Sequence, residues 1–132
     1  MANALYPKYK QALLTAGINL TTLNIKVALI DSGTTGYNAA HEFMSSMATA
    51  AVARSGNLAN KTVVSGVFDA DNITITGVTG ATVEALLLFR DSGVDATSEL
   101  IAYLDTGITG IVLTPNGGDV TITWNGSGIF AL

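Results

Sequence analysis

The sequence predicts a mainly β fold: an antiparallel β-sandwich or jelly-roll-like barrel, with an amino-terminal helix and a second short helix. Three observations carry that prediction. Runs such as Asn72-Ile73-Thr74-Ile75-Thr76 and Val120-Thr121-Ile122-Thr123-Trp124 alternate apolar with neutral polar residues, the period of two that sends successive side chains to opposite faces of a strand. Turn formers punctuate the second half of the chain: Gly80, Asp91-Ser92-Gly93, Thr106-Gly107 and Pro115-Asn116-Gly117-Gly118. The resulting strand-to-strand spacing of roughly 8 to 17 residues suits antiparallel neighbours.

In chain order, residues 4–16 read as a helix. Leu5, Tyr9, Leu13 and Ala16 recur at three- and four-residue steps on one face, with Lys8, Gln11 and Thr15 away from it. Asn3 is the expected cap, Pro7 falls in the first turn, and Gly17 is the expected terminator. Residues 25–31 alternate as a first strand, which Ser32-Gly33-Thr34-Thr35-Gly36 breaks. Residues 39–51 carry Phe43, Met44 and Met47 at helical spacing behind Asn38, which predicts the second helix; 54–60 is a loop. Further strands are expected at 61–68, 72–78, 81–90, 98–105, 109–114, 118–124 and 127–131. The strand at 81–90 is apolar on both alternating sets through its middle, so it needs cover on both faces, from the amino-terminal helix or from a second copy. The carboxyl end, Gly128-Ile129-Phe130-Ala131-Leu132, is apolar to its last residue and is expected to tuck into a sheet or a neighbour.

The 132 residues suit one β-rich domain, 1–132, large enough to fold without cross-links; there is no cysteine to make any. Charged residues are 12% of the chain against about 25% in an average soluble protein. The net charge of −4 argues against a nucleic-acid binder. No apolar run is long enough to span a bilayer, and the first residues do not read as a secretory signal, so a product made in a cytoplasm and soluble there is expected, with no membrane partner. A surface of Thr, Ser and Asn is cheap to desolvate and suits a protein packed against neighbours.

Reactive chemistry is sparse. His41, the single histidine, stands beside Glu42, but adjacent helical residues point in different directions, and no nucleophile turn of the Gly-x-Ser-x-Gly kind occurs near Ser45 and Ser46 or elsewhere. His41 therefore reads as a packing or capping residue. Asp69-Ala70-Asp71-Asn72 clusters oxygens but lacks the spacing of a calcium loop, and reads as a turn bonded to its own backbone. The glycines form no phosphate cradle. Trp124 is expected in the core with Val120 and Ile122, the alternative being a sugar-stacking platform. Lys8 and Lys10 beside Tyr6 and Tyr9 form a small basic-aromatic patch: either solvated lysines beside buried rings or a dock for an acidic partner. Tyr6, Lys8, Tyr9, Lys10, Phe130 and Leu132 are the candidate interface residues. No catalytic, cofactor or metal residue is predicted.

Several blocks carry a resemblance: Ala4-Leu5-Tyr6-Pro7-Lys8-Tyr9-Lys10, Ala39-Ala40-His41-Glu42-Phe43, Gly66-Val67-Phe68-Asp69-Ala70, Leu100-Ile101-Ala102-Tyr103-Leu104-Asp105 and Thr114-Pro115-Asn116-Gly117-Gly118-Asp119. Together they resemble small virion proteins of tailed bacteriophages, and most of all head decoration, or cement, proteins that bind the outside of the icosahedral capsid. The resemblance runs from Ala4 to Leu132, with 49–60 outside it. It implies a sandwich or jelly-roll-like fold, self-association, a major capsid protein as partner, a place on the capsid exterior and no enzymatic role, while the doubly apolar strand at 81–90 and the low charge point to a homodimer or homotrimer. Alternatives from other classes are a tail structural subunit and a carbohydrate-binding β-sandwich of a fibre or adhesin.

Overall fold

In the computed structural model, which describes residues 3–132, the centre is a five-stranded antiparallel sheet. Its strands are β1 (Ala4–Leu5), β2 (Ile25–Ile30), β3 (Ala51–Arg54), β7 (Ala85–Arg90) and β8 (Leu100–Leu104), in the order β1-β8-β7-β2-β3. The middle strands lie where the sequence is most apolar. Residues 85–89 of β7 are at most 1% exposed, and β8 is buried throughout. Register puts Leu86 and Leu88 on one face with Val27, Leu29 and Leu104, and Leu87 on the other with Ala28 and Tyr103. Both faces are covered within one chain. The doubly apolar strand is thus an interior strand of this molecule, and it gives no ground for a second copy.

The other strands form two smaller antiparallel sheets. One has the order β10-β5-β4, from β4 (Thr62–Val64), β5 (Val67–Asp69) and β10 (Phe130–Ala131); the second pairs β6 (Ile73–Ile75) with β9 (Val120–Ile122). Phe68, Ile75 and Ile122 join the core of the large sheet. The fold is mainly β, and its layers are consistent with a sandwich rather than one continuous barrel sheet.

The amino-terminal helix, α1, is shorter than its periodicity suggests, running Pro7–Leu14. Ala4 and Leu5 pair with Tyr103 and Ala102 of β8 instead, and Tyr6 takes the cap position without a side-chain cap bond. Asn3 caps a different segment: its carbonyl accepts the N–H groups of Asp105 (2.7 Å) and Thr106 (3.0 Å), and its amide donates to the Thr106 carbonyl. Pro7 stands at the first helical position, where its missing N–H costs nothing. At the other end Ala16, at φ 60°, takes the left-handed position. The Gly17 N–H then reaches the Ala12 carbonyl (2.7 Å) and the Ala16 N–H that of Leu13 (3.2 Å), the paired bonds of a Schellman stop.

The predicted second helix is two single 3-10 turns, Met44–Ser46 and Ala48–Ala50. Cross-chain pairing overrides helix here. Phe43 bridges Glu99, the Met44 N–H bonds the Ser98 carbonyl and the Leu100 N–H bonds that of Glu42, which holds 42–44 extended. Met44, Met47 and Ala50 are all buried, and their spacing of three matches three residues per turn rather than 3.6. Residues 51–54, placed at the end of that helix and the start of a loop, form β3. The single strand expected at 61–68 is a hairpin, because Ser65 (φ 51°) and Gly66 (φ 79°) both adopt the positive φ that a two-residue type I′ turn requires. Residues 109–114 form no strand and make only the isolated bridges Thr109–Thr123 and Val83–Leu113.

Candidate interaction surface

The six candidate interface residues divide into buried and exposed sets. Tyr6 is fully buried: its N–H bonds the Ile101 carbonyl and its ring lies 5.1 Å from that of Tyr37, which in turn contacts Tyr103 at 5.9 Å. Tyr9 is 1% exposed and meets Phe130 edge-on at 6.1 Å. Burial raises the Tyr6 phenol far above its ordinary range and pushes Tyr9 up to about 12, so both stay neutral. The expectation that these rings offer interface surface is therefore corrected for Tyr6, whereas Tyr9 contributes only a buried edge to the groove that α1 walls. Tyr9 shares the inward stripe of α1 with Ala12 and Leu13, and Tyr6 is pinned by β8, so both serve the core. Lys8 and Lys10, on either side of Tyr9, are exposed. Phe130 is half-buried in β10, and Leu132 is 67% exposed.

Around these residues lies a groove of about 540 Å³. Its floor is a row across the three-stranded sheet, Val63, Phe68 and Phe130, in register from strand to strand. The Phe68 and Phe130 rings are 5.5 Å apart. Tyr9, Leu13 and Ala16 form one wall, residues 18–21 extend it, and Leu132 closes an end. Exposed apolar side chains gather on the elements that build it: Val63 is 51% exposed, Val64 67% and Leu14, on α1, 88%. Val63 and Val64 were missed in the sequence, where alternation placed them in one long, half-buried strand; only the Ser65-Gly66 pair signals that the chain turns back there.

The charges are unevenly committed. Lys26 pairs with Asp91 (2.6 Å), Arg54 forks onto both carboxylate oxygens of Asp95 (2.7 and 2.9 Å), and Arg90 meets Glu99 (2.8 Å). The hydrogen bonds from Lys26 and Arg54 hold the Asp91 and Asp95 carboxyls below their usual range. Lys61 donates to the Leu23 carbonyl. Lys8 and Lys10 have no such partner among the described residues, so the two uncommitted cations both sit on the helix that walls the groove.

The other sequence candidates take structural places. His41 lies in an irregular segment rather than a helix, its N–H bonded to the Asn38 carbonyl, and Asn38 accepts the Ala40 N–H through its side chain. In 69–72, Asp69 accepts the Ala70 N–H, Asp71 accepts from Asn60, and Asn72 accepts the Trp124 N–H. The Trp124 ring N–H donates to the Asp71 carbonyl (3.0 Å), and the ring is 7% exposed, so it is a core residue and no open stacking platform. Among the described residues no group of His, Asp and Glu is placed to hold a metal ion, and no helix is long and apolar enough to cross a membrane.

Neither a protein-family model nor a curated protein matches the chain.

Proposed function

We propose that this chain is a structural protein of a tailed-phage virion, one that decorates the outside of the head by binding the major capsid protein and tying neighbouring shell subunits together. The observation that carries the reading is the apolar groove lined by Leu13, Val63, Phe68, Phe130 and Leu132, of which Val63 and Leu132 are exposed, beside a helix that carries two uncommitted lysines. Contiguous exposed apolar surface rimmed by polar groups marks docking sites on soluble proteins. The polar side chains of Asp69, Asp71 and Asn72 are engaged in local and cross-strand hydrogen bonds, which suits a role by adhesion. Burial of Trp124 supports the decoration reading over a carbohydrate-binding one, which would use an exposed Trp124 or Tyr side chain in a groove. Self-association stays part of the proposal without β7 as its basis.

A ligand that binds only the assembled shell stabilises it by mass action, about 2.7 kcal/mol per site at a hundredfold excess over its dissociation constant. Repeated over many equivalent sites, small contacts add up to resistance against heat and internal pressure. Particles stripped of the protein should therefore release their genome at a lower temperature and under milder osmotic stress than decorated ones, and re-addition should restore the threshold. Equal thresholds would remove the stabilising role.

A further inference from the structure

The outer edge of β4 is open, and the hairpin geometry fixes how. The Phe68 carbonyl accepts the Ile129 N–H (2.8 Å), so the backbone polar groups of Phe68 face β10 rather than β4. Its cross-strand partner Val63 is therefore in a non-hydrogen-bonded position, with N–H and C=O directed away from β5. β4 ends its sheet, and among the described residues no backbone group bonds to Val63 on that open side. Edges of this kind are normally blunted by Lys, Pro or a bulge. Here the edge is Thr62-Val63-Val64, exposed throughout, and Lys61, the nearest potential guard, is drawn onto the Leu23 carbonyl.

A strand laid beside β4 would extend the row Phe130–Phe68–Val63 by one place. The residue opposite Val63 would fall on the groove face, and its immediate neighbours would fall beside Thr62 and Val64 on the other. The groove volume accommodates large side chains from that strand. Charge selects the partner further. The chain is net negative, yet Lys8 and Lys10 stand uncommitted and exposed on the flanks of α1, outside the groove lining but at the same pole, so acidic residues beside the groove are attracted to this pole and repelled by the rest of the surface. Two copies docked face to face here would bring four lysines together, which disfavours a second copy as occupant.

We propose that the β4 edge and its groove bind an extended, acidic segment of another protein by strand addition, with large apolar side chains at alternate positions entering the groove. The identity of the donor as a shell protein rests on the decoration reading; the strand addition does not.

The test uses the full chain and a synthetic peptide of about nine residues with Leu at the alternate positions that enter the groove, Thr between them and Asp at both ends, with a Lys-for-Asp peptide as control. In amide NMR titrations the acidic peptide should shift the Val63 N–H and protect it from exchange, and the basic peptide should not. Val63→Pro, which removes only an outward N–H, and Val63→Asp, which keeps it, should each bind at least about tenfold more weakly, as should Lys8→Glu with Lys10→Glu. An unmoved Val63 amide, equal affinity for both peptides, full binding by a folded Val63 variant, or Val63-dependent dimerisation in light scattering would each overturn the proposal. Binding to particles separates the two readings. Particles that take up Val63→Pro normally would sink the strand addition and leave decoration standing, whereas peptide binding without particle binding would do the reverse.

Discussion

Leu87→Ala should lower stability by about 3 kcal/mol and the melting temperature by roughly 10 °C, and both losses should be the same over a wide range of protein concentration. Leu87 is fully buried at the middle of β7, flanked by Ala28 of β2 and Tyr103 of β8. Ala28 is small and the strands on both sides are fixed in register, so the vacated space has little means of closing. Unclosed space puts the cost in the middle of the usual range for such truncations. Concentration independence follows from the cover that one chain supplies to both faces of β7. If β7 instead lay between subunits, the truncation would weaken association itself, and the loss in the variant would change with concentration. Calorimetry at two concentrations differing by about a hundredfold distinguishes these outcomes.

Gly128→Ala should cost about 2–4 kcal/mol, read from denaturant unfolding. Gly128 has φ 103°, where side chains are strained, and a Cβ there would stand 2.3 Å from Val67 Cγ1 and 3.2 Å from the Phe68 carbonyl oxygen. The Val67 methyl can move; the Phe68 carbonyl cannot, because it holds the Ile129 N–H that seats β10 against β5. Displacing β10 would also remove Phe130 from the groove floor. Gly126→Ala is the control: nothing lies within 4 Å of a Cβ at that position, and its change should stay within about 0.5 kcal/mol. Equal losses from the two substitutions would show that the close approach at Gly128 carries no weight.

These cases show which parts of the fold are legible in the sequence. β2, β7 and β8 are, because continuous or alternating apolar runs leave a strand few other ways to bury its side chains. The strand pairing of 42–44 is not, since it depends on Glu99 and Leu100 more than fifty residues away, and local spacing of Phe43, Met44 and Met47 imitates a helix. Ser65-Gly66 reads as part of a strand until both residues are seen at positive φ. The candidate surface is legible in the same partial way. Lys8 and Lys10 are exposed as their helical phase suggests, and the rings of Tyr6 and Tyr9 beside them turn inward. The open edge at Val63 has no local signature, because whether a strand is the last in its sheet is decided by the whole topology.

The central claim is that this chain binds a phage shell through the pole formed by α1, the β4–β5 hairpin and β10. Cryo-electron microscopy of intact particles containing the protein tests it most directly. Density for the chain is expected on the outer surface of the head, repeated with the symmetry of the shell, with Lys10, Val63 and Leu132 turned toward the capsid subunits. Density confined to the tail, or a chain on the head with that pole facing solvent, would contradict it.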